Sequence, residues 1–78
     1  MLIYTERARR DLERLSQAEA ERIANRLAAL DAGSAGDVKK LKGREGYRLR
    51  VGSYRVLFDR EGKDIVVQRI AHRRDVYR

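Results

Sequence analysis

Cysteine, proline and tryptophan are absent from these 78 residues, histidine occurs once, and there is one phenylalanine. Each absence excludes something. Without cysteine there is no disulfide framework and no thiolate metal site, which suits a cytosolic chain rather than a small secreted one. A lone His72 argues against a multi-histidine metal centre. Carboxylates alone could hold a hard cation, but no such cluster stands out, so neither a metal nor a cofactor is expected. No stretch approaches the roughly 18 apolar residues of a membrane span, and no charged-then-apolar leader opens the chain. A chain this short forms one domain, residues 1–78, and buries only about 60% of its unfolded surface. These exclusions leave a soluble, cytoplasmic domain of marginal stability with no membrane partner.

What the chain has is positive charge, with 19 Lys and Arg against 12 Asp and Glu and a net charge of +7. Residues 1–31 carry six basic and six acidic side chains, whereas residues 32–78 carry thirteen and six. The densest part runs from Val38 to Phe58, where Lys39, Lys40, Lys42, Arg44, Arg48, Arg50 and Arg55 face Glu45 alone. A surface of one sign repels itself, and a polyanion or acidic partner relieves that strain. A merely solvated basic face is the plainer reading. An amphipathic membrane helix fits less well, because the charge lies outside the helical half.

Hydrophobic period divides the chain in two. Leu2-Ile3-Tyr4 reads as a short strand, and Thr5 as an N-cap ahead of Ala8, Leu12 and Leu15 at helical spacing. Ser16-Gln17-Ala18-Glu19 is a capping box, with the Ser16 hydroxyl on the Glu19 amide and the Glu19 carboxylate reaching back to the Ser16 amide. The second helix turns Ala20, Ile23, Ala24, Leu27 and Leu30 inward and stops near Gly33. Alanines at 20, 24 and 28 leave room for close packing. After the flexible stretch 33–37 the period becomes two. Tyr47 to Val51 and Tyr54 to Phe58 form a hairpin about Gly52-Ser53, and Asp64 to Ala71 adds a third strand. The expected fold is α+β: an N-terminal strand and an antiparallel helical hairpin packed on a mainly antiparallel sheet, in the order βααβββ.

A two-residue turn at Gly52-Ser53 sets the register: Val51 opposite Tyr54, Arg50 opposite Arg55, Leu49 opposite Val56, Arg48 opposite Leu57. Side chains alternate along a strand, so Tyr47, Leu49, Val51, Tyr54, Val56 and Phe58 face the helices while Arg48, Arg50 and Arg55 share the other face. Like charges directly opposed cost a few tenths to about 1 kcal/mol, which favours a functional reason for the pair. Alternatively, Arg50 and Arg55 splay into water or pair with Asp59, Asp64 or Asp75. Strand three, with Gln68 outward, feeds His72, Arg73, Arg74 and Tyr77 to the same end. Guanidiniums, one imidazole and one aromatic suit a phosphodiester: they clamp it, stack a base and stabilise a pentacoordinate phosphorus. Metal-free RNA cleavage by the neighbouring 2′-hydroxyl needs no more than alignment, charge neutralisation and two proton transfers. Ser16 and Ser53 are used as cap and turn, and Gly33, Gly36, Gly43 and Gly46 fit no phosphate-loop spacing.

The run Leu41-Lys42-Gly43, the hairpin YRLRVGSYRVLF from Tyr47 to Phe58, and AHRRDVY from Ala71 to Tyr77 resemble the RelE/ParE superfamily of bacterial toxin–antitoxin toxins. The A-x-x-D-L-x-x-L of Ala8 to Leu15 matches as well, so the likeness spans nearly the whole chain. RelE-like members are ribosome-dependent endoribonucleases that cut messenger RNA in the decoding site; ParE-like members share the fold and poison DNA gyrase without cutting RNA. The resemblance implies catalytic roles for Arg48, Arg50, Arg55, Arg73 and Tyr77, with Arg55 and Arg73 on the scissile phosphate and Tyr77 stacking on a nucleotide; His72, next to Arg73, is a further catalytic candidate. Lys39, Lys40, Lys42, Arg44, Arg74 and Arg78 would bind RNA around them. The best-known RelE members carry lysines at the first two positions, and arginine, with a pKa above about 12, is a poor general base. Either His72 takes the proton, or positioning dominates. The implied partners are the ribosome with its message and a cognate antitoxin, whose helix could dock on the alanine face to form a hetero-oligomer. The expected function is the RelE-like ribonuclease, with gyrase poisoning the alternative.

Overall fold

Two side-chain caps start the two helices. In the structure, a computed structural model that describes residues 1–34 and 36–76, Thr5 Oγ1 accepts from the Ala8 amide at 3.1 Å and Ser16 Oγ accepts from the Glu19 amide at 3.2 Å. The Ser16 hydroxyl in turn donates to Glu19 Oε1 at 3.1 Å, so the carboxylate meets the cap's side chain, where the capping-box pattern puts it on the amide. Between these caps lies α1 (Glu6–Glu13); α2 (Gln17–Asp31) follows with almost no connecting loop. At its end Gly33 has φ +99°, its amide bonds the Leu30 carbonyl at 3.0 Å, and the Ser34 amide bonds that of Ala29 at 2.9 Å. That is the paired arrangement in which a left-handed glycine satisfies the last helical carbonyls.

Five strands make one sheet: β1 (Leu2–Tyr4), β2 (Val38–Lys40), β3 (Tyr47–Val51), β4 (Tyr54–Glu61) and β5 (Asp64–His72), in spatial order β1-β5-β4-β3-β2. β1 runs parallel to β5 and every other pair is antiparallel. The α+β expectation holds, with one added strand. β2 is too short, and too polar in Val38-Lys39-Lys40, to show a period of two. It exists because β3 offers it an edge. The β3–β4 register matches the expected one residue for residue, from Tyr47 opposite Phe58 to Val51 opposite Tyr54. Gly52 alone supplies the positive φ of +59° that the first position of this tight turn requires.

The helices cover one face only. Ala8, Ile23, Leu27 and Leu30 meet Leu49, Val51, Val56, Phe58, Ile65, Val67 and Ile70 in a single apolar cluster. On α2 the residues at i, i+4 and i+7 from Ile23 are buried, while Ala20 and Ala24 are half-buried at the margin and Ala28 is exposed. No described helix is long and apolar enough to cross a membrane.

β5 breaks step once. Phe58 pairs with Val67 and Leu57 with Arg69, so Gln68 is an extra residue opposite no partner, a β-bulge. Beyond Tyr4, β1 no longer covers β5, and the start of α1 closes the gap. The Thr5 amide donates to the Val67 carbonyl at 3.0 Å, the Thr5 hydroxyl to the Gln68 carbonyl at 3.2 Å, and Asp11 Oδ2 accepts from the Ile70 amide at 2.9 Å. Asp11 is the acid in A-x-x-D-L-x-x-L, and sealing a strand edge is its physical reason. Leaving a part-buried amide without its acceptor costs about 1–3 kcal/mol. Asp11→Ala should therefore lower the thermal midpoint by about 5–15 °C, given about 4–8 °C per kcal/mol for a domain this small. Asp11→Asn, which keeps a carbonyl acceptor, should lose clearly less. Equal midpoints for Asp11→Ala and wild type in a thermal melt would remove Asp11 from this role.

Candidate functional site

The face away from the helices is built from two adjacent cross-strand rows. In the first, Lys39 pairs with Arg48, Arg48 with Leu57, and Leu57 with Arg69. In the second, the Asp37 carbonyl accepts from the Arg50 amide at 3.0 Å, Arg50 pairs with Arg55, and Arg55 with Ala71. Cross-strand neighbours point to the same side. Lys39, Arg48, Arg50, Arg55 and Arg69 therefore converge from four strands on one surface.

The opposed arginines each have an anchor. Arg50 Nε donates to Asp37 Oδ2 at 2.5 Å, with the Arg50 side chain still 53% exposed. This bond chiefly holds the Asp37 carboxyl below its usual range; desolvation opposes it, and the charges of Arg50, Arg48 and Lys39 add to it. Arg55 is buried and turns back on its own hairpin, where Nη1 donates to the carbonyls of Gly52 at 3.1 Å and Tyr54 at 2.9 Å. Asp37 ends the stretch whose composition suggests flexibility alone, and it is the acid that Arg50 takes. Asp59 instead accepts from Gln68 Nε2 at 2.8 Å.

Lys39, Lys40, Lys42, Arg44 and Arg48, with Leu41, line a depression of about 410 Å³ beside this face. The loop 41–46 that carries three of them closes through the Leu41 amide on the Gly46 carbonyl at 3.0 Å. Gly46 has φ +111°, and a Cβ there would stand 3.0 Å from Asp59 Oδ1 and 3.3 Å from the Phe58 carbonyl oxygen. Only glycine lets the loop settle against β4.

After β5 the chain turns over the open face. The Arg73 amide donates to the Ser53 carbonyl at 2.8 Å, and the His72 carbonyl accepts from the amides of Asp75 at 2.8 Å and Val76 at 3.1 Å. Val76 is 2% exposed and Leu57 4%, yet neither belongs to the main cluster. Arg69 Nη1 donates to the Val76 carbonyl at 2.9 Å. The Arg73 and Arg74 side chains remain exposed at this end. Tyr77 and Arg78 lie outside the described residues.

His72 is not brought to the arginines. It pairs with Tyr54, whose parity is that of the helical face, and the two rings meet edge-on with centroids 5.8 Å apart. Its Nδ1 accepts from the Arg74 amide at 3.3 Å. The bulge explains both this placement and Arg69, a residue of the open face that the sequence pattern does not reveal. Strict alternation from Ile65 and Val67 sends Arg69 inward; one extra residue at Gln68 sends Arg69 outward and His72 inward. The available signal is Ile70, an apolar residue of the opposite parity. Among the described residues no three His, Asp or Glu side chains gather to hold a metal ion.

A protein-family model described as the ParE toxin of type II toxin-antitoxin system, parDE, matches residues 2–77. Toxin RelE3 of Methanocaldococcus jannaschii is 43% identical over 42 residues, 53% of this chain and 48% of that protein. The matched segment thus spans about half the length of that curated relative. Among solved structures, the RelB-RelE antitoxin-toxin complex from Methanococcus jannaschii matches with a TM-score of 0.79 and 28% identity, covering 96% of this chain and 94% of that one. The toxin-antitoxin complex RelBE2 from Mycobacterium tuberculosis matches with a TM-score of 0.82 and 25% identity, over 96% and 92%. With a family match from residue 2 to residue 77 and relatives of this kind, the chain belongs to the ParE toxin family of type II toxin–antitoxin systems, within the RelE/ParE superfamily.

Proposed function

We propose that this toxin is a RelE-like endoribonuclease that cuts messenger RNA in the ribosomal decoding site and so stops translation. The observation that carries the reading is the convergence of Lys39, Arg48, Arg50, Arg55 and Arg69 on the uncovered face of the sheet, with Arg73 at its end. A pentacoordinate phosphorus carries one more negative charge than the phosphodiester, and fixed guanidiniums stabilise that increment. Arg50 and Arg55 are held by Asp37 and by hairpin carbonyls, so their heads are oriented before substrate arrives. Lys39, Lys40, Lys42 and Arg44, along the neighbouring depression, track the RNA backbone, and Arg74 and Arg78 add further charge for it. Tyr77 stacks on a nucleotide.

The step itself is attack of the substrate's 2′-oxygen on the adjacent phosphorus, with departure of the 5′-oxygen. The 2′-hydroxyl proton passes to water and the 5′-oxygen takes one from water; the products are a 2′,3′-cyclic phosphate and a 5′-hydroxyl. His72 lies on the other side of the sheet, so it is assigned no proton, and the reaction rests on alignment and charge. A cognate antitoxin of the RelB kind is the second partner, supported by the two solved complexes of relatives. The excess of cations over residues 32–78 favours an acidic segment in that antitoxin. The family description, which names ParE, favours a second reading in which the chain poisons DNA gyrase without cutting RNA.

Induced expression followed by mapping of message 5′-ends separates the two. Cleavage phased to codons supports the ribonuclease; DNA damage with intact messages supports the gyrase poison. Among the described residues Arg73 is bonded through its main chain, with its side chain exposed, so Arg73→Ala should keep the wild-type melt and lower cleavage by about 100-fold, the size of one lost oxyanion donor. Unchanged cleavage would contradict its role at the phosphate. Arg55→Ala should lose both activity and stability, because Gly52 and Tyr54 lose a charged donor worth about 1.5–3 kcal/mol. A general base contributes about 100-fold or more, so His72→Ala is expected to cost less than about threefold in cleavage rate. A 100-fold loss with an unchanged melt would put the imidazole back in the reaction.

A further inference from the structure

Arg69 has the parity of the open face, is half-buried, and spends a guanidinium donor on main chain, with Nη1 2.9 Å from the Val76 carbonyl. That carbonyl ends a single turn closed by the His72 carbonyl on the Asp75 and Val76 amides. Arg73 and Arg74 sit inside the turn, and Tyr77 is the next residue after Val76. One side chain therefore joins the strand just past the bulge to the end of the segment bearing the C-terminal cations. We propose that Arg69 is a positioning residue that clamps this segment onto the open face and so fixes where Arg73 stands relative to Arg55. The proposal rests on the ribonuclease reading for its consequence, but the clamp itself can be measured without any substrate.

The geometry favours a clamp over a phosphate ligand for this arginine. Arg73 and Arg74 keep exposed side chains, whereas Arg69 is half-buried and directs Nη1 to the Val76 carbonyl 2.9 Å away, so main chain and not solvent receives that donor. A single turn outside any helix or strand has few bonds of its own and opens readily unless a side chain ties it. Val76 supplies burial, and Arg69 supplies direction through a hydrogen bond with a charged donor.

In the wild-type chain the Arg69 guanidinium protons should exchange with solvent at least about tenfold more slowly than those of Arg74, as a part-buried bonded donor does beside an exposed one. Equal rates overturn the clamp. Arg69→Met, which keeps the apolar stem, should speed exchange of the Asp75 and Val76 amides by about tenfold while those of Leu49, Val56 and Val67 hold. Turn amides that keep their wild-type rates overturn it too, whatever the activity. Arg69→Met should lower kcat for message cleavage about tenfold and leave KM within about threefold, because misplacing Arg73 affects the transition state more than binding. Arg69→Lys, which retains one donor on a similar stem, should recover most of both losses. Loss of the clamp with kcat unchanged overturns positioning. A wild-type chain that cuts no message while its turn loosens on Arg69→Met supports the clamp and sinks the ribonuclease reading instead.

Discussion

The extra residue at Gln68 is the constraint on which the two faces of this molecule depend. Ahead of it, Ile65 and Val67 point to the helices; beyond it Ile70 does. Without the bulge, Arg69 would enter the apolar cluster and Ile70 would lie on the charged side. A half-buried guanidinium among Leu27, Val56 and Phe58 would carry a desolvation penalty of several kcal/mol, which a domain of this size cannot absorb. The bulged stretch of β5 also needs protection on its other side, where β1 ends at Tyr4 and leaves main-chain groups at an open edge. Thr5 and Asp11 supply that protection from the first helix, so the N-terminal half of the chain stabilises the irregularity that organises the C-terminal half.

Concentrating cations on one side of a sheet works against folding. Lys39 faces Arg48 and Arg50 faces Arg55, and each such pair costs a few tenths to about 1 kcal/mol if left bare. Neither member of the second pair is left bare: Arg50 turns to Asp37 at one end of its row, and Arg55 turns to the carbonyls of the β3–β4 turn. The heads diverge along the row while their strands stay in register. The stabilising apolar burial therefore comes almost wholly from the helical side, with Leu57 and Val76 buried apart from that cluster.

Local chemistry is legible in the sequence because short-range rules decide it. Thr5, Ser16 and Gly33 cap as their residue types dictate, and Gly52-Ser53 fixes a register that the alternation of Leu49, Val51, Val56 and Phe58 independently demands. Features that depend on a distant partner are not legible. β2 forms only because β3 has a free edge, and its three residues hold no pattern of their own. Asp37 becomes an ion-pair acid only once β2 brings it beside Arg50. Arg69 and His72 exchange faces because of one inserted residue. The apolar run Ile65-Val66-Val67 hides the parity change that Ile70 betrays.

That exchange bears on how an enzyme built this way could work. Imidazole and guanidiniums sit on opposite sides of β5, so acid–base catalysis and charge stabilisation are not assembled in one place. Whether this matters is a question of magnitude. A positioned general base contributes about 10²–10⁴-fold, whereas holding an internal nucleophile in line reaches effective molarities of about 10⁵–10⁸ M. On the ribonuclease reading the 2′-hydroxyl is part of the substrate, so alignment and charge would contribute more than proton transfer. Both would come from side chains whose geometry is fixed by bonds to main chain or to Asp37. A face made of arginines instead of lysines then fits the task. Arginine gives up the option of accepting a proton and gains a planar fork that can hold a backbone carbonyl or an acid and present charge to phosphate.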